Sequence, residues 1–129
     1  MKTMTPPTVL LDRSFLEALA DPAHQHAERA ASAYRDLVER SRRNERRLRA
    51  RADHLREVAP VSEVRTHLFA PIETIHVVGQ HHRAARRLDL PFEVDHDTAL
   101  TLVVLRRERV TEVATFAPAL AEFDLQTLP

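Results

Sequence analysis

The stretch TVLLD at residues 8–12, followed by RSFLEALADP at residues 13–22, decides the fold class of this chain. An apolar run follows a pair of prolines and closes at Asp12, which predicts a first strand ending at that residue. Ser14 and Glu17 have the spacing of a helix-capping box, and Asp21-Pro22 predicts where the short helix stops. The chain therefore opens with a strand that leads at once into a helix.

The alternation of strand and helix patterns continues to the end of the sequence. An apolar stripe predicts a long helix over 23–41, a β-branched run predicts a strand over 71–78, and helix-forming residues follow Gly79 over 80–88. An apolar helix starting at Asp97, a strand over 110–116, a helical turn over 118–123 and an extended piece over 125–128 complete the pattern. Residues 42–70 fit either a strand and then a helix, or one continuous helix. This alternation predicts an α/β fold with a mostly parallel sheet covered on both faces.

Length and composition indicate a single domain over residues 1–129. Apolar residues make up 43% and charged residues 29% of the chain, which is ordinary for a folded domain. The absence of cysteine excludes disulfides and thiolate zinc sites. No stretch has the pattern of a signal peptide or a membrane span, so we expect a cytoplasmic protein without membrane association.

The formal net charge is zero, but the segment 40–56 holds eight arginines against Glu45 and Asp53. Such a segment can neutralise nucleic-acid phosphates, and it can equally be a solvated helix face or a partner-binding surface. If this segment is an RNA-binding surface, we expect six of its side chains to contact the RNA: Arg42, Arg43, Arg46, Arg47, Arg49 and Arg51.

Two aspartates stand where an α/β sheet places its ligands. Asp12 ends the first predicted strand, and ligands of open α/β sheets bind beyond the carboxyl ends of the strands. Asp97, at the start of the apolar helix, is positioned to meet it across that crevice. Such carboxylates repel each other, and a divalent cation that offsets the repulsion would suit phosphodiester hydrolysis. The alternative is that both are helix-capping acids.

The eight histidines favour surface or capping roles over a transition-metal site. His76 and His81 are separated by a glycine, and His24 and His26 would point to different faces of the predicted long helix. His96 is the exception, because it adjoins Asp97 and is positioned to approach the same crevice.

Two segments resemble the PIN-domain family of ribonucleases. VLLDRSFLEALADPAHQHAERA at 9–30 looks like the opening of these domains, and DTALTLVVLRRERVTEVATF at 97–116 is similar to their C-terminal half. The resemblance implies a PIN-like three-layer α/β/α sandwich with a small, mostly parallel sheet. It also implies a Mg²⁺ or Mn²⁺ site made by about four acids, RNA cleavage, and pairing of a VapC-like toxin with an antitoxin.

The resemblance assigns metal-binding and catalytic roles to Asp12, Asp97 and Glu57. Glu57 lies in RADHLREV at 51–58, which resembles the family's Ser-x-x-x-x-x-Glu passage loosely, and Glu63 is its rival. The fourth acid is missing, because Ala117 stands where the family has a carboxylate. Arg13 replaces a small hydroxyl residue, and a guanidinium beside Asp12 is positioned to pair with it and compete with a metal.

Three functions remain open at this point. The first is a metal-dependent PIN ribonuclease using Asp12, Asp97 and Glu57. The second is a catalytically degenerate PIN relative that binds RNA or a protein through the arginines of 40–56. The third is a small assembly protein whose buried helix and arginine-rich segment form a homodimer or larger homo-oligomer.

Overall fold

A computed structural model of the chain describes residues 5–59, 67–123 and 125–129. Within those ranges there are five strands and six helices that alternate along most of the chain. The strands are β1 (Thr8–Leu11), β2 (Arg47–Arg51), β3 (Glu73–Ile75), β4 (Glu112–Ala114) and β5 (Gln126–Leu128). The helices are α1 (Arg13–Ala20), α2 (Ala27–Arg42), α3 (Ala52–Val58), α4 (Gly79–Arg86), α5 (His96–Arg107) and α6 (Pro118–Ala121).

The strands form one sheet in the order β3-β2-β1-β4-β5, and every pairing is parallel. Parallel neighbours need long crossovers, which the intervening helices supply. The chain starts in the centre at β1, moves to one edge, and then returns to build the other half. The order therefore reverses between β1 and β4, and the carboxyl ends of these two strands form the switch point where α/β folds bind ligands.

Successive side chains of β1 pack into two separate clusters of the core. Val9 and Leu11 pack in the cluster that contains the buried side chains of α1, α2 and α3. Leu10 packs in the opposite cluster, with Leu102 and Leu105 of α5. Because successive strand residues face opposite sides, a central strand with helices on both faces is apolar throughout. The predicted α/β/α arrangement is confirmed.

The structure decides the ambiguous segment and moves four helix starts, including that of α4, which begins at Gly79 and not at residue 80. Residues 47–58 form a strand and then a helix, because Leu48 and Ala50 are buried against neighbouring strands. Helix α1 begins at Arg13, so Ser14 is not its capping residue and the predicted capping box is wrong. His24 and His26 precede α2 and do not lie on it as predicted, because this helix begins at Ala27. Helix α5 begins at His96, one residue earlier than predicted.

Candidate active site at the carboxyl end of the sheet

The switch point opens into a cleft of about 230 Å³, here called the Asp12 cleft. Asp12 enters it from the end of β1, while Asp97 and Asp95 enter from the start of α5. Glu17 of α1 adds a fourth carboxylate to the lining. Both aspartates singled out in the sequence therefore line one cleft.

Asp12 is a buried carboxylate held by two hydroxyl groups. Its side chain belongs to a residue that is 7% exposed, and its Oδ2 accepts hydrogen bonds from Ser14 Oγ at 3.0 Å and Thr115 Oγ1 at 2.8 Å. Ser14 Oγ in turn accepts the backbone N–H of Phe116 at 2.8 Å. The side chain of Asp12 makes no capping bond to α1. Both hydroxyls hold the same oxygen, so they orient the carboxylate without using its second oxygen.

Asp97 does not cap its helix either. The capping acid of α5 is Asp95, whose Oδ1 accepts the backbone N–H of Thr98 at 2.7 Å. His54 Nε2 lies 3.0 Å from Asp97 Oδ1, and the nitrogen must be the donor because an ionised carboxylate has no proton to give. Asp97 is therefore fixed from the side of α3.

Arg51 is the buried centre of the contacts behind Asp97. This residue is 2% exposed, and its guanidinium donates two hydrogen bonds to Asp53, at 3.1 and 2.6 Å. It also donates to Thr101 Oγ1 and to the backbone oxygen of Asp97, and its Nη2 lies 3.0 Å from Asp97 Oδ1. Burial raises the pKa of Asp53, but its hydrogen bonds with Arg51 lower that pKa overall. A buried guanidinium is thus paired with two ionised carboxylates.

Asp53, His54 and Asp97 offer ligand atoms within 4.8 Å of one another. Arg51 lies within 3.1 Å of an oxygen of each of these two carboxylates and is itself buried, so the positive charge at this cluster is already supplied by the chain. We interpret the group as a network that orients Asp97.

Asp97 gives the folded protein an acid-sensitive contribution to its stability. The hydrogen bond from His54, together with the charges of His54, Arg51 and Arg13, lowers the pKa of Asp97 from 3.8 to about 2 although burial opposes the change. Because this pKa is depressed in the folded chain, the contribution is complete above pH 3.8 and is lost as the pH falls through about 2. Solvent screening of this half-exposed carboxylate limits the contribution to about 1 kcal/mol.

Urea unfolding across this pH interval measures the contribution of Asp97 directly. We expect the stability difference between wild type and Asp97→Asn to shrink as the pH is lowered from 3.8 towards 2. A difference that stays constant over the interval would contradict this assignment, since other titrating acids affect both proteins equally.

Glu57, the third predicted ligand, lies outside the Asp12 cleft. It lines a neighbouring cleft of about 350 Å³, here called the Glu57 cleft, and its carboxylate pairs with Nη2 of Arg13. Arg13 also pairs with Glu17 across one helical turn at 3.1 Å. The sequence predicted that Arg13 would pair with Asp12, but the structure turns the guanidinium towards Glu57. Glu63, the rival of Glu57, lies outside the described residues.

Ala117 lines the Asp12 cleft at the position where the PIN pattern has its fourth acid. The two residues before it keep their structural roles, since Thr115 bonds Asp12 and Phe116 bonds Ser14 through its backbone. The methyl group of Ala117 therefore lines the cleft directly after the residues that hold Asp12 and Ser14.

Most of the arginines of 40–56 have acidic partners within the chain. Arg46 pairs with Glu112, Arg47 with Glu73 and Arg49 with Glu108. Arg42 and Arg43 pair with Glu39 on α2. Arg51, the sixth residue of the predicted RNA-binding set, is buried behind the Asp12 cleft.

Most of these arginines also lie at the end of the sheet away from the cleft. Residues 40–47 lie at the end of α2 and the start of β2. In a parallel sheet all strands run in the same direction, so their amino ends lie at the opposite end of the sheet from their carboxyl ends. An RNA surface at Arg42, Arg43, Arg46, Arg47 and Arg49 stays a prediction.

Most of the described histidines are exposed or half-buried, as the sequence predicted, and His81 Nδ1 accepts the backbone N–H of Val78 at the start of α4. His26 stacks on the ring of Phe116 with centroids 4.4 Å apart, and His96 stacks on His82 at 5.2 Å. His54, which the sequence analysis passed over, is 1% exposed and contacts Asp97.

The sequence analysis did not identify one group of residues as part of a site: Arg51, Asp53 and His54. They lie at the junction of β2 and α3, at the carboxyl end of the strand next to β1. The strand-end rule that selected Asp12 would have selected them as well, had residues 42–58 been assigned to a strand and a helix.

Three features together define a PIN-like α/β/α fold: the order of the strands, the helices on both faces of the sheet, and the carboxylates at the carboxyl ends of β1 and β4. Among solved structures, the chain is similar to VapC20 of Mycobacterium tuberculosis, a Sarcin-Ricin loop cleaving toxin. The TM-score is 0.70 at 17% sequence identity, and the match covers 94% of this chain and 99% of that one. No protein-family description matches the sequence, and neither does any curated protein. The predicted resemblance is confirmed as a VapC-like PIN fold.

Within the described part of the chain, no helix is long and apolar enough to cross a membrane.

Proposed function

We propose that this chain is a divalent-metal-dependent ribonuclease of the PIN type that acts at the Asp12 cleft. The observation that carries the proposal is the convergence of Asp12 and Asp97 on one cleft at the switch point of a VapC-like fold. The likeness to VapC20, which is described as a Sarcin-Ricin loop cleaving toxin, supports RNA as the kind of substrate. On the same ground we propose a toxin role with an antitoxin protein as partner. A homodimer and a cytoplasmic location stay predictions.

The side chains of the cleft fit Mg²⁺ or Mn²⁺. These cations prefer oxygen ligands, and the Asp12 cleft is lined by four carboxylates with Arg13 as the cation among its described lining residues. Asp12 and Asp97 would hold the ion, and Glu57 is the third ligand that the resemblance implies. A bound ion of this kind activates a water molecule and stabilises the charge that develops on a phosphodiester during hydrolysis.

The surrounding residues orient the two aspartates. Ser14 and Thr115 fix the carboxylate of Asp12 through one oxygen, and His54 with Arg51 fixes that of Asp97. Hydrogen-bonded supports of this kind commonly change metal affinity or activity by 10–100-fold when removed. The missing carboxylate at Ala117 lowers the negative charge of the cleft, so we expect weaker metal binding than a complete site would give.

Titration with Mn²⁺ and an RNA-cleavage assay test the proposal on wild type and on Ala117→Asp. We expect cleavage by the wild type that requires Mn²⁺ or Mg²⁺ and stops in EDTA. Ala117→Asp should bind Mn²⁺ about tenfold more tightly, because it adds a charged oxygen ligand at a position that already lines the cleft. The absence of both Mn²⁺ binding and cleavage in the two proteins would reject the proposed function.

A further inference from the structure

Arg13 stands between the Asp12 cleft and the Glu57 cleft. It is the first residue of α1, directly after Asp12, and its side chain lines both clefts together with Glu17. Its guanidinium is paired with Glu17 and Glu57, and Glu57 is 44 residues away in the sequence. The position of this one side chain therefore affects the charge of both clefts.

The charge of the Asp12 cleft makes Arg13 important for a polyanionic substrate. Asp12, Glu17, Asp95 and Asp97 repel phosphate groups, whereas Arg13 is the cation among the described residues that line this cleft. A guanidinium presents two parallel N–H donors, and this geometry matches the oxygens of a phosphate. A phosphodiester entering the cleft would thus meet a suitable partner in Arg13.

The present partners of Arg13 hold it weakly. Its side chain is 40% exposed, and the side chains of Glu17 and Glu57 are each 49% exposed. Ion pairs that are this open to water add little to stability and exchange readily for other charged partners. The exposure of all three side chains permits Arg13 to change partners.

We propose that Arg13 exchanges partners when RNA binds: its guanidinium leaves Glu57 for a phosphate of the RNA, and the released Glu57 carboxylate becomes available to the metal ion. This inference rests on the proposed ribonuclease function. It has a thermodynamic consequence, because RNA and the divalent ion would each strengthen the binding of the other through Arg13. Arg13 is then both a substrate-binding residue and a restraint on metal binding in the free protein.

Calorimetric titration with Mn²⁺ alone tests the restraint without measuring activity. We expect Arg13→Gln to bind Mn²⁺ about three- to fivefold more tightly than wild type, the range that an exposed ion pair allows. Arg56→Gln is the matched control. Arg56 is exposed and precedes Glu57 in the sequence, but its side chain lines neither cleft, so this substitution removes the same charge from outside both of them. Equal Mn²⁺ affinities for wild type and Arg13→Gln would overturn the inference.

A double-mutant cycle separates partner exchange from a general effect of charge. Arg13→Gln should strengthen Mn²⁺ binding more in the wild-type background than in the Glu57→Gln background, because the loss of a cation from the cleft lining contributes in both. The same gain in both backgrounds would show that Glu57 is not the group that Arg13 restrains, and this result also overturns the inference.

Binding of a short phosphorothioate RNA, measured by fluorescence anisotropy with and without Mn²⁺, tests the second half of the exchange. We expect Mn²⁺ to strengthen RNA binding more in wild type than in Arg13→Gln. Equal strengthening in the two proteins contradicts the exchange.

The results distinguish this inference from the proposed function. If neither wild type nor Arg13→Gln binds Mn²⁺, both the proposed function and the exchange fail. If wild type binds Mn²⁺ and cleaves RNA while Arg13→Gln behaves identically, only the exchange fails.

Discussion

Replacing Asp12 by asparagine is expected to lower RNA cleavage by more than about 100-fold, beyond the effect of removing a residue that only supports a metal ligand. The substitution removes one negative charge from the cleft while keeping the size of a side chain that is 7% exposed. One oxygen remains to accept the hydrogen bonds from Ser14 and Thr115. The fold should therefore persist, and the loss should lie in metal binding and catalysis.

Cleavage rates and Mn²⁺ affinities of wild type, Asp12→Asn and Asp36→Asn check this expectation. Asp36 lies on α2, where it pairs with Arg40, and its side chain is 62% exposed. Asp36→Asn should retain wild-type activity after the same purification. Cleavage by Asp12→Asn at the wild-type rate would place the activity outside the Asp12 cleft or in a contaminating ribonuclease.

Replacing Arg51 by methionine is expected to lower the free energy of unfolding by about 3 kcal/mol, at the lower end of the cost of breaking a buried ion pair. Methionine fills part of the volume but leaves the carboxylates of Asp53 and Asp97 without their shared guanidinium. The side chains of these two acids are 31% and 42% exposed, so water partly replaces the lost bonds and keeps the cost near that lower end.

Urea unfolding at neutral pH, followed by circular dichroism, measures this loss against Arg47→Met on the same strand. Arg47 pairs with Glu73 at 3.0 Å, but the two side chains are 36% and 53% exposed, so its loss should cost under about 1 kcal/mol. Equal destabilisation by the two substitutions would show that burial adds nothing to the pairing of Arg51.

The parts of the site that the sequence predicted are those fixed by local pattern. Asp12 follows an apolar run and precedes a helix, so its place at the end of a strand depends only on neighbouring residues. Asp97 lies in the first turn of an apolar helix, and a one-residue change in the helix start did not move it from the cleft. The ambiguity over 42–70 had a physical cause as well: RLRAR of β2 alternates arginine with the buried Leu48 and Ala50, but five residues are too few to distinguish a strand from a helix by periodicity.

The number of charges in the arginine-rich segment did not predict which groups its arginines contact. Its local charge predicted a surface for RNA, yet Arg46, Arg47 and Arg49 pair with acids 66, 26 and 59 residues further along the chain. Glu73 and Glu112 reach the arginines because β3 and β4 belong to the same sheet as β2, and Glu108 reaches Arg49 from the end of α5. A window of sequence does not contain that information.

By itself the sequence determined the alternation of strands and helices, the α/β class and the strand-end position of Asp12, because backbone periodicity and turn residues act between near neighbours in the chain. The tertiary structure alone decided the partners of the charged side chains: Arg13 with Glu57, Arg51 with Asp97, and His54 with Asp97. These pairs join residues 43 to 46 positions apart. Their choice depends on the order of strands in the sheet and on which helices cover each face, since ion pairs form only between groups that the completed fold brings within a few ångströms.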